Sequence, residues 1–143
     1  MADQFGRDES DVRAVLDSTA IGSFARGHAH VGELLVMIGE EGAFVGVPSA
    51  PLLRAHADAV GQADQRARLR VLATLPSVRV LDLDLDVAEN AANLVGPFSG
   101  DLALAQAAWA AIEHAAYFVT AEPGLAAKVV PTALLHVIPA GDV

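Results

Sequence analysis

The stretch Arg13-Ala14-Val15-Leu16-Asp17-Ser18-Thr19 decides the fold class. A short apolar run that ends at a carboxylate is typical of a buried strand. Ser18 and Thr19 can then cap a turn directly after the strand. The stretch therefore predicts a first strand over 13–16, with Asp17 at its carboxyl end.

Short apolar runs and helical patterns alternate along the rest of the chain. Further strands are predicted at 43–47, 78–83, 116–119 and 135–138, and helices at 30–38, 52–60, 65–75, 86–95 and 102–114. The last of these helices is apolar almost all round, which indicates a central, buried helix. This alternation predicts an α/β fold, a three-layer α/β/α sandwich with a central, mostly parallel sheet. Ligands bind at the carboxyl ends of the strands in such sheets.

Length and composition indicate one domain in a reducing compartment. The chain has 143 residues and no cysteine, so a disulfide framework is excluded and a cytoplasmic location is expected. We expect a flexible N-terminal tail over 1–11 and a single domain over 12–143. The N-terminus lacks the apolar stretch of a signal peptide, and no apolar run reaches the roughly 20 residues of a membrane span.

Charge and hydrophobicity limit the partners of the chain. The formal net charge is −9, so a broad basic surface for nucleic acid is excluded and any RNA contact must be local or mediated by a metal. Hydrophobic residues make up 53% of the chain, which is above the usual fraction. This excess predicts a homodimer or another protein partner.

Three acidic residues follow predicted strands or precede a predicted helix. Asp17 follows the first strand, Asp101 precedes the central helix, and Glu122 comes just after the strand that ends near Thr120. Because the carboxyl ends of parallel strands lie along one edge of a sheet, these carboxylates are expected to meet there. Carboxylates that meet repel one another unless a hard divalent cation lies between them. Each acid taken alone is more often a helix cap, so the spacing by itself leaves both interpretations open.

Other catalytic signatures are missing. The chain has no Gly-Lys-Ser/Thr phosphate loop and no Gly-x-Ser-x-Gly elbow, which excludes those two classes of hydrolase. His28 and His30 have no third metal ligand nearby in the sequence, and they are expected to lie in a loop.

Four short motifs resemble, in order, the successive motifs of the PIN-domain family, and most closely the compact bacterial VapC-type toxins. They are Val15-Leu16-Asp17-Ser18-Thr19-Ala20, Val45-Gly46-Val47-Pro48, Ser99-Gly100-Asp101 leading into Ala105-Gln106-Ala107, and Phe118-Val119-Thr120-Ala121-Glu122-Pro123. The resemblance implies a Mg²⁺-dependent or Mn²⁺-dependent endoribonuclease that a paired antitoxin holds inactive. It also implies that Asp17 and Asp101 are the main metal ligands and catalytic residues, with Glu122 auxiliary.

Two positions depart from the family pattern. Arg54 stands where the family has a glutamate, and Glu122 stands where it has an aspartate. Arg54 could point inward, pair with Asp17 or Asp101 and replace the metal, or it could point outward to a substrate phosphate or to Asp58. Ser18 and Thr19 could orient a metal-bound water or cap the turn.

These departures leave the function open between classes. The first expectation is a VapC-like ribonuclease of weak or lost activity. The alternative is a non-catalytic PIN-like module that dimerises or binds a protein, with Arg54 as an internal counter-ion. A structure-specific DNA nuclease is a third interpretation, which the acidic composition disfavours.

Overall fold

The computed structural model describes residues 11–143, and it contains a five-stranded sheet in which every paired strand is parallel, in the order β3-β2-β1-β4-β5. The strands are β1 Val12–Leu16, β2 Phe44–Pro48, β3 Val78–Leu81, β4 Tyr117–Thr120 and β5 Leu135–Val137. The helices are α1 Ser18–Ala25, α2 Ala29–Glu40, α3 Ser49–Asp58, α4 Ala63–Thr74, α5 Leu85–Ala91, α6 Leu102–His114 and α7 Pro123–Ala126.

Helices cover both faces of the sheet. Because successive side chains of a strand point to opposite faces, β1 contributes Leu16 to one apolar cluster and Val15 to the other. The first cluster includes side chains from α1 to α4, and the second includes side chains from α5, α6 and α7. The prediction of an α/β/α sandwich is therefore confirmed, and the sheet is wholly parallel.

The central helix α6 is buried as its composition predicts. Small side chains, mostly alanine, let it lie close against the sheet. Its one buried polar side chain, Gln106, is 1% exposed and joins two other elements. Gln106 Oε1 accepts the backbone N–H of Ala50 at 2.7 Å, and its Nε2 donates to the carbonyl of Leu81 at 3.1 Å. The start of α3 is thereby fixed to the end of β3.

The bounds differ from the sequence prediction at several points. The sequence predicted a turn that Ser18 and Thr19 cap and no helix before residue 30, whereas the structure has the helix α1 at Ser18–Ala25. The helix predicted from 86 starts earlier, because the Asp84 carboxylate accepts the N–H of Val87 at 2.9 Å and caps it. The predicted N-terminal tail lies outside the described residues except for Asp11, whose carbonyl accepts the N–H of Phe44 at 3.0 Å. Among residues 11–143 no helix has the length and apolar character to cross a bilayer.

The strand order places a topological switch point between β1 and β4. The chain leaves β1 towards β2 on one side, whereas it leaves β4 towards β5 on the other. In parallel sheets the loops separate at such a point and leave a crevice outside the carboxyl ends of the strands. Asp17 follows β1 and Glu122 follows β4, so both lie beside this crevice.

Candidate functional site

Asp17 directly follows β1 at the switch point, and 3% of its surface is exposed. It is the N-cap of α1, and its Oδ1 accepts the backbone N–H of Ala20 at 3.0 Å. The Thr19 hydroxyl donates to the same oxygen at 2.5 Å, and the Thr120 hydroxyl donates to Oδ2 at 2.6 Å. Both carboxylate oxygens therefore have hydrogen-bond donors from the protein.

The two hydroxyls also hold the turn that follows β4. Thr19 Oγ1 accepts the N–H of Ala121 at 2.9 Å, and Thr120 Oγ1 accepts the N–H of Glu122 at 2.9 Å. Each threonine thus donates to Asp17 and accepts from the backbone of this turn. Asp17 therefore helps to fix the backbone position of Glu122, and it does so through the two threonines.

Burial raises the pKa of the Asp17 carboxyl above its ordinary value. The hydrogen bonds from Thr120, Thr19 and Ala20 offset part of this rise, because they stabilise the ionised form. A carboxylate in this state would gain from a nearby cation. The resemblance implied that Asp17 is a main metal ligand; in the structure both of its oxygens already accept hydrogen bonds from the protein.

A cleft of about 240 Å³ lies above Asp17 at the carboxyl edge of the sheet. The side chains with charge or hydroxyl groups that line it are Ser18, Thr19, Arg26, Arg54, Asp58, Asp101 and Glu122. Five of the six residues that the sequence singled out therefore meet in one cleft, and the sixth, Asp17, supports its floor through Thr19. This convergence is the main feature of the candidate site.

Local backbone geometry places Asp101 on the cleft wall. Ser99 and Gly100 both have positive φ, at 56° and 88°, so the chain reverses direction immediately before Asp101. The Asp101 Oδ1 then accepts the N–H of Leu104 at 2.9 Å and caps α6. One carboxylate oxygen is therefore committed to the cap, which leaves Oδ2 for other partners. The capping interpretation and the site interpretation of this residue are compatible.

Arg54 lies between this cleft and a shallower extension that passes Asp101 along residues 99–103. Its Nε is 3.6 Å from Asp58 Oδ2, one helical turn away, and both side chains are more than half exposed. Arg54 thus forms its ion pair with Asp58, and not with Asp17 or Asp101. An exposed pair of this kind contributes less than about 1 kcal/mol, so Arg54 can exchange Asp58 for a ligand at small cost.

Arg26 is a cleft residue that the sequence analysis missed. It is the C-cap of α1, and its guanidinium lies over Gly22, so that a Cβ added to this glycine would be 2.9 Å from Nη1. The signal in the sequence is a glycine four residues before an arginine on one helix face. Finding it requires knowing that 18–25 is a helix.

The donor set fits Mg²⁺ only in part. Asp101 and Glu122 line the same cleft, and Mg²⁺ commonly takes one or two carboxylates with water and substrate phosphate completing the shell. However, residues 11–143 contain no group of three or more His, Cys, Asp or Glu side chains placed to hold a metal. Arg26 and Arg54 add positive charge on the same walls.

The sequence matches no protein-family model and no curated protein.

Proposed function

We propose that the chain is a PIN-like protein related to the VapC toxins, which binds RNA at this cleft and whose Mg²⁺-dependent phosphodiester cleavage is weak or lost. The supporting observation is that Asp101 and Glu122 line one cleft with Arg54, at the switch point of a parallel sheet. The proposal extends the resemblance stated for the sequence, and the mixed charge of the cleft supports impaired activity.

The acidic residues have separate roles in this proposal. Asp101 and Glu122 would hold a Mg²⁺ or Mn²⁺ ion, which when bound supplies an activated water and charge neutralisation at a phosphodiester. Asp17 would act indirectly, because its oxygens are occupied by Thr19, Thr120 and Ala20. Activity is reduced since a guanidinium on the cleft wall repels the cation that the chemistry needs.

In this proposal Arg26 and Arg54 supply the phosphate contacts of a cleft that Asp58, Asp101 and Glu122 also line. A guanidinium binds a phosphate through two parallel hydrogen bonds, and Arg26 and Arg54 lie on the same cleft. They provide a local positive contact on a chain whose formal net charge is −9. This arrangement meets the requirement that any RNA contact be local.

Calorimetric titration of Mg²⁺ and Mn²⁺ into EDTA-stripped protein tests the metal half of the proposal. We expect weak binding that Asp101→Asn abolishes and that Arg54→Glu strengthens at least tenfold. Asp86→Asn, an exposed acid on α5, is the matched control and should leave binding unchanged. If neither Asp101→Asn nor Arg54→Glu changes the affinity for the metal ion, the proposal is contradicted.

Fluorescence anisotropy with a labelled single-stranded RNA tests the phosphate half. We expect Arg26→Ala and Arg54→Ala each to weaken binding at least threefold and to reduce its dependence on salt. Arg70→Ala removes an exposed arginine of α4 that does not line the cleft, and it is the charge-matched control. If all three variants weaken binding equally, the contact is a general charge effect and the cleft is not the RNA site.

A second candidate function is a non-catalytic module that dimerises or binds a protein, an antitoxin included. The supporting observation is a cavity of about 530 Å³ on the α2 face, whose walls include Met37 and Tyr117, each about half exposed at 51% and 49%. Sedimentation equilibrium of the unmodified protein and of Tyr117→Asp tests it. If the unmodified protein is a dimer and Tyr117→Asp is a monomer, this function is supported. If both proteins are monomers, dimerisation through this face is excluded.

A further inference from the structure

Two histidines from distant parts of the chain meet outside the cleft. His30 lies in the first turn of α2, so the helix predicted from residue 30 is right and the loop expected at this residue is wrong. His136 is the middle residue of β5. Their Nε2 atoms are 2.9 Å apart, their ring centroids are 5.1 Å apart and the ring planes are inclined by 33°. The two nitrogens therefore converge on one point from opposite elements.

The resting pair can share only one proton along this contact. In neutral imidazoles one Nε2 carries a hydrogen and the other accepts it, so at least one lone pair faces the partner ring. Burial, followed by the charge of His30, lowers the pKa of His136. Imidazole binds metal ions through the lone pair of a neutral ring nitrogen, and the Nε2–Nε2 contact of 2.9 Å brings two such nitrogens together.

The spacing suits a bridging ion after a small adjustment. With metal–nitrogen distances near 2.0–2.1 Å and a tetrahedral angle, two ligand nitrogens lie about 3.3 Å apart. To reach this geometry the nitrogens must part by about 0.4 Å and both half-buried rings must turn, because centroids 5.1 Å apart with Nε2 atoms 2.9 Å apart mean that the rings now point almost directly at each other. Residues 11–143 provide no third His, Cys, Asp or Glu at this place, so the remaining positions of the ion stay open to water or to an added ligand.

A cavity beside the histidine pair leaves space for further ligands of the ion. His136 also lines the cavity of about 530 Å³ that contains Met37 and Tyr117. The charged groups on its walls, Arg13 and Glu41, are paired with each other at 2.7 Å and add little net charge. An ion at the histidine pair would thus lie beside a cavity of about 530 Å³ whose lining is largely apolar.

We infer that His30 and His136 form a two-histidine binding site for a borderline divalent metal ion, Zn²⁺, Ni²⁺ or Cu²⁺. Imidazole nitrogen is a preferred ligand of these ions and a poor ligand of Mg²⁺, so the site is chemically distinct from the acidic cleft. The ion would replace the shared proton and tie α2 to the edge strand β5. This inference does not depend on the ribonuclease proposal.

Calorimetric titration of ZnCl₂ and NiCl₂ into the EDTA-stripped, tag-free full chain tests the inference. We expect one equivalent to bind at pH 7.5, and His30→Gln and His136→Gln each to weaken that binding at least tenfold. His114→Gln, at the end of α6, is the control and should bind as the unmodified protein does. Asp86→Asn, which removes an exposed carboxylate of α5, should also bind normally and controls for a general loss of negative charge.

A second measurement needs no variant. The chain has five histidines, and substoichiometric Cu²⁺ broadens the NMR signals of the imidazoles that it contacts. We expect selective broadening of the His30 and His136 ring signals. The absence of any heat of binding, equal broadening of all five rings, or unchanged affinity in both histidine variants would overturn the inference.

Discussion

The Thr120 hydroxyl donates a 2.6 Å hydrogen bond to the Asp17 carboxylate and so joins the carboxyl ends of β1 and β4 across 103 residues. Both residues are buried, so the bond is shielded from competing water. A hydrogen bond to a charged group in such surroundings contributes more than one between neutral groups. This bond is therefore a main determinant of the shape of the cleft.

Thr120→Val tests the strength of that bond. The substitution keeps the shape of the side chain and removes the hydroxyl, so we expect the free energy of unfolding to fall by about 1.5–3 kcal/mol. Urea denaturation at pH 7 measures the change. Thr74→Val is the control, because its hydroxyl bonds an exposed carbonyl at the end of α4, and it should cost much less. Equal costs would show that Asp17 does not depend on Thr120.

Asp17→Asn gives a prediction on pH. Because burial raises the pKa of Asp17, the folded protein holds this proton to higher pH than the unfolded chain does. Its contribution to stability is present below the ordinary pKa of 3.8 and is lost as pH rises through the folded pKa. The free energy of unfolding of the variant should therefore improve relative to the unmodified protein as pH rises from 4 to 7. A difference that is constant with pH would contradict the shift.

For His136 we expect the opposite pH dependence of the free energy of unfolding, which His136→Gln tests. Burial lowers the pKa of His136, so the unfolded chain takes up the proton first when pH falls below the ordinary pKa of 6.5. The contribution of His136 is present above that value and is lost as pH falls through the folded pKa. In EDTA, the unmodified protein should lose stability between pH 7 and 5 more steeply than the variant. Parallel curves would contradict the lowered pKa of His136.

Gly46→Ala tests the close contact between neighbouring strands. A Cβ at Gly46 would be 2.7 Å from Leu81 Cδ1 and 3.1 Å from Val12 Cγ1. We expect a loss of about 1–3 kcal/mol in the free energy of unfolding, because overpacking in a filled core forces neighbours to move. Gly124→Ala, where a Cβ meets nothing within 4 Å, is the control and should be neutral or slightly stabilising.

Much of the fold follows from local patterns. Apolar runs such as 43–47 and the helix 102–114 are regular enough to identify, and their alternation predicts a parallel sheet. The helix α1 was not predicted although Ala20, Ile21 and Phe24 have helical spacing, because the segment is only eight residues long and contains Gly22. Burial stabilises so short a helix more than propensity does.

The candidate site was predictable in its members and less so in its contacts. The sequence places Asp101 and Glu122 at one edge, since strand ends and helix starts fix backbone positions. Sequence spacing does not give side-chain partners that lie far apart, such as Thr120 for Asp17 or His136 for His30. For Arg54 the sequence did give the observed partner, Asp58, but only as one of several that it allowed.

The long separation of Asp17 from Thr120 also affects how the protein is made. A ribosome adds about 5–20 residues per second, so Thr120 is synthesised roughly 5–20 s after Asp17, since 103 residues separate them. During that interval the first half of the chain has the residues of β1, α1 and β2 but lacks Thr120 as the partner of the Asp17 carboxylate. The cleft is therefore completed only after Thr120 and Glu122 have been synthesised, so the proposed RNA contact cannot form there before that point.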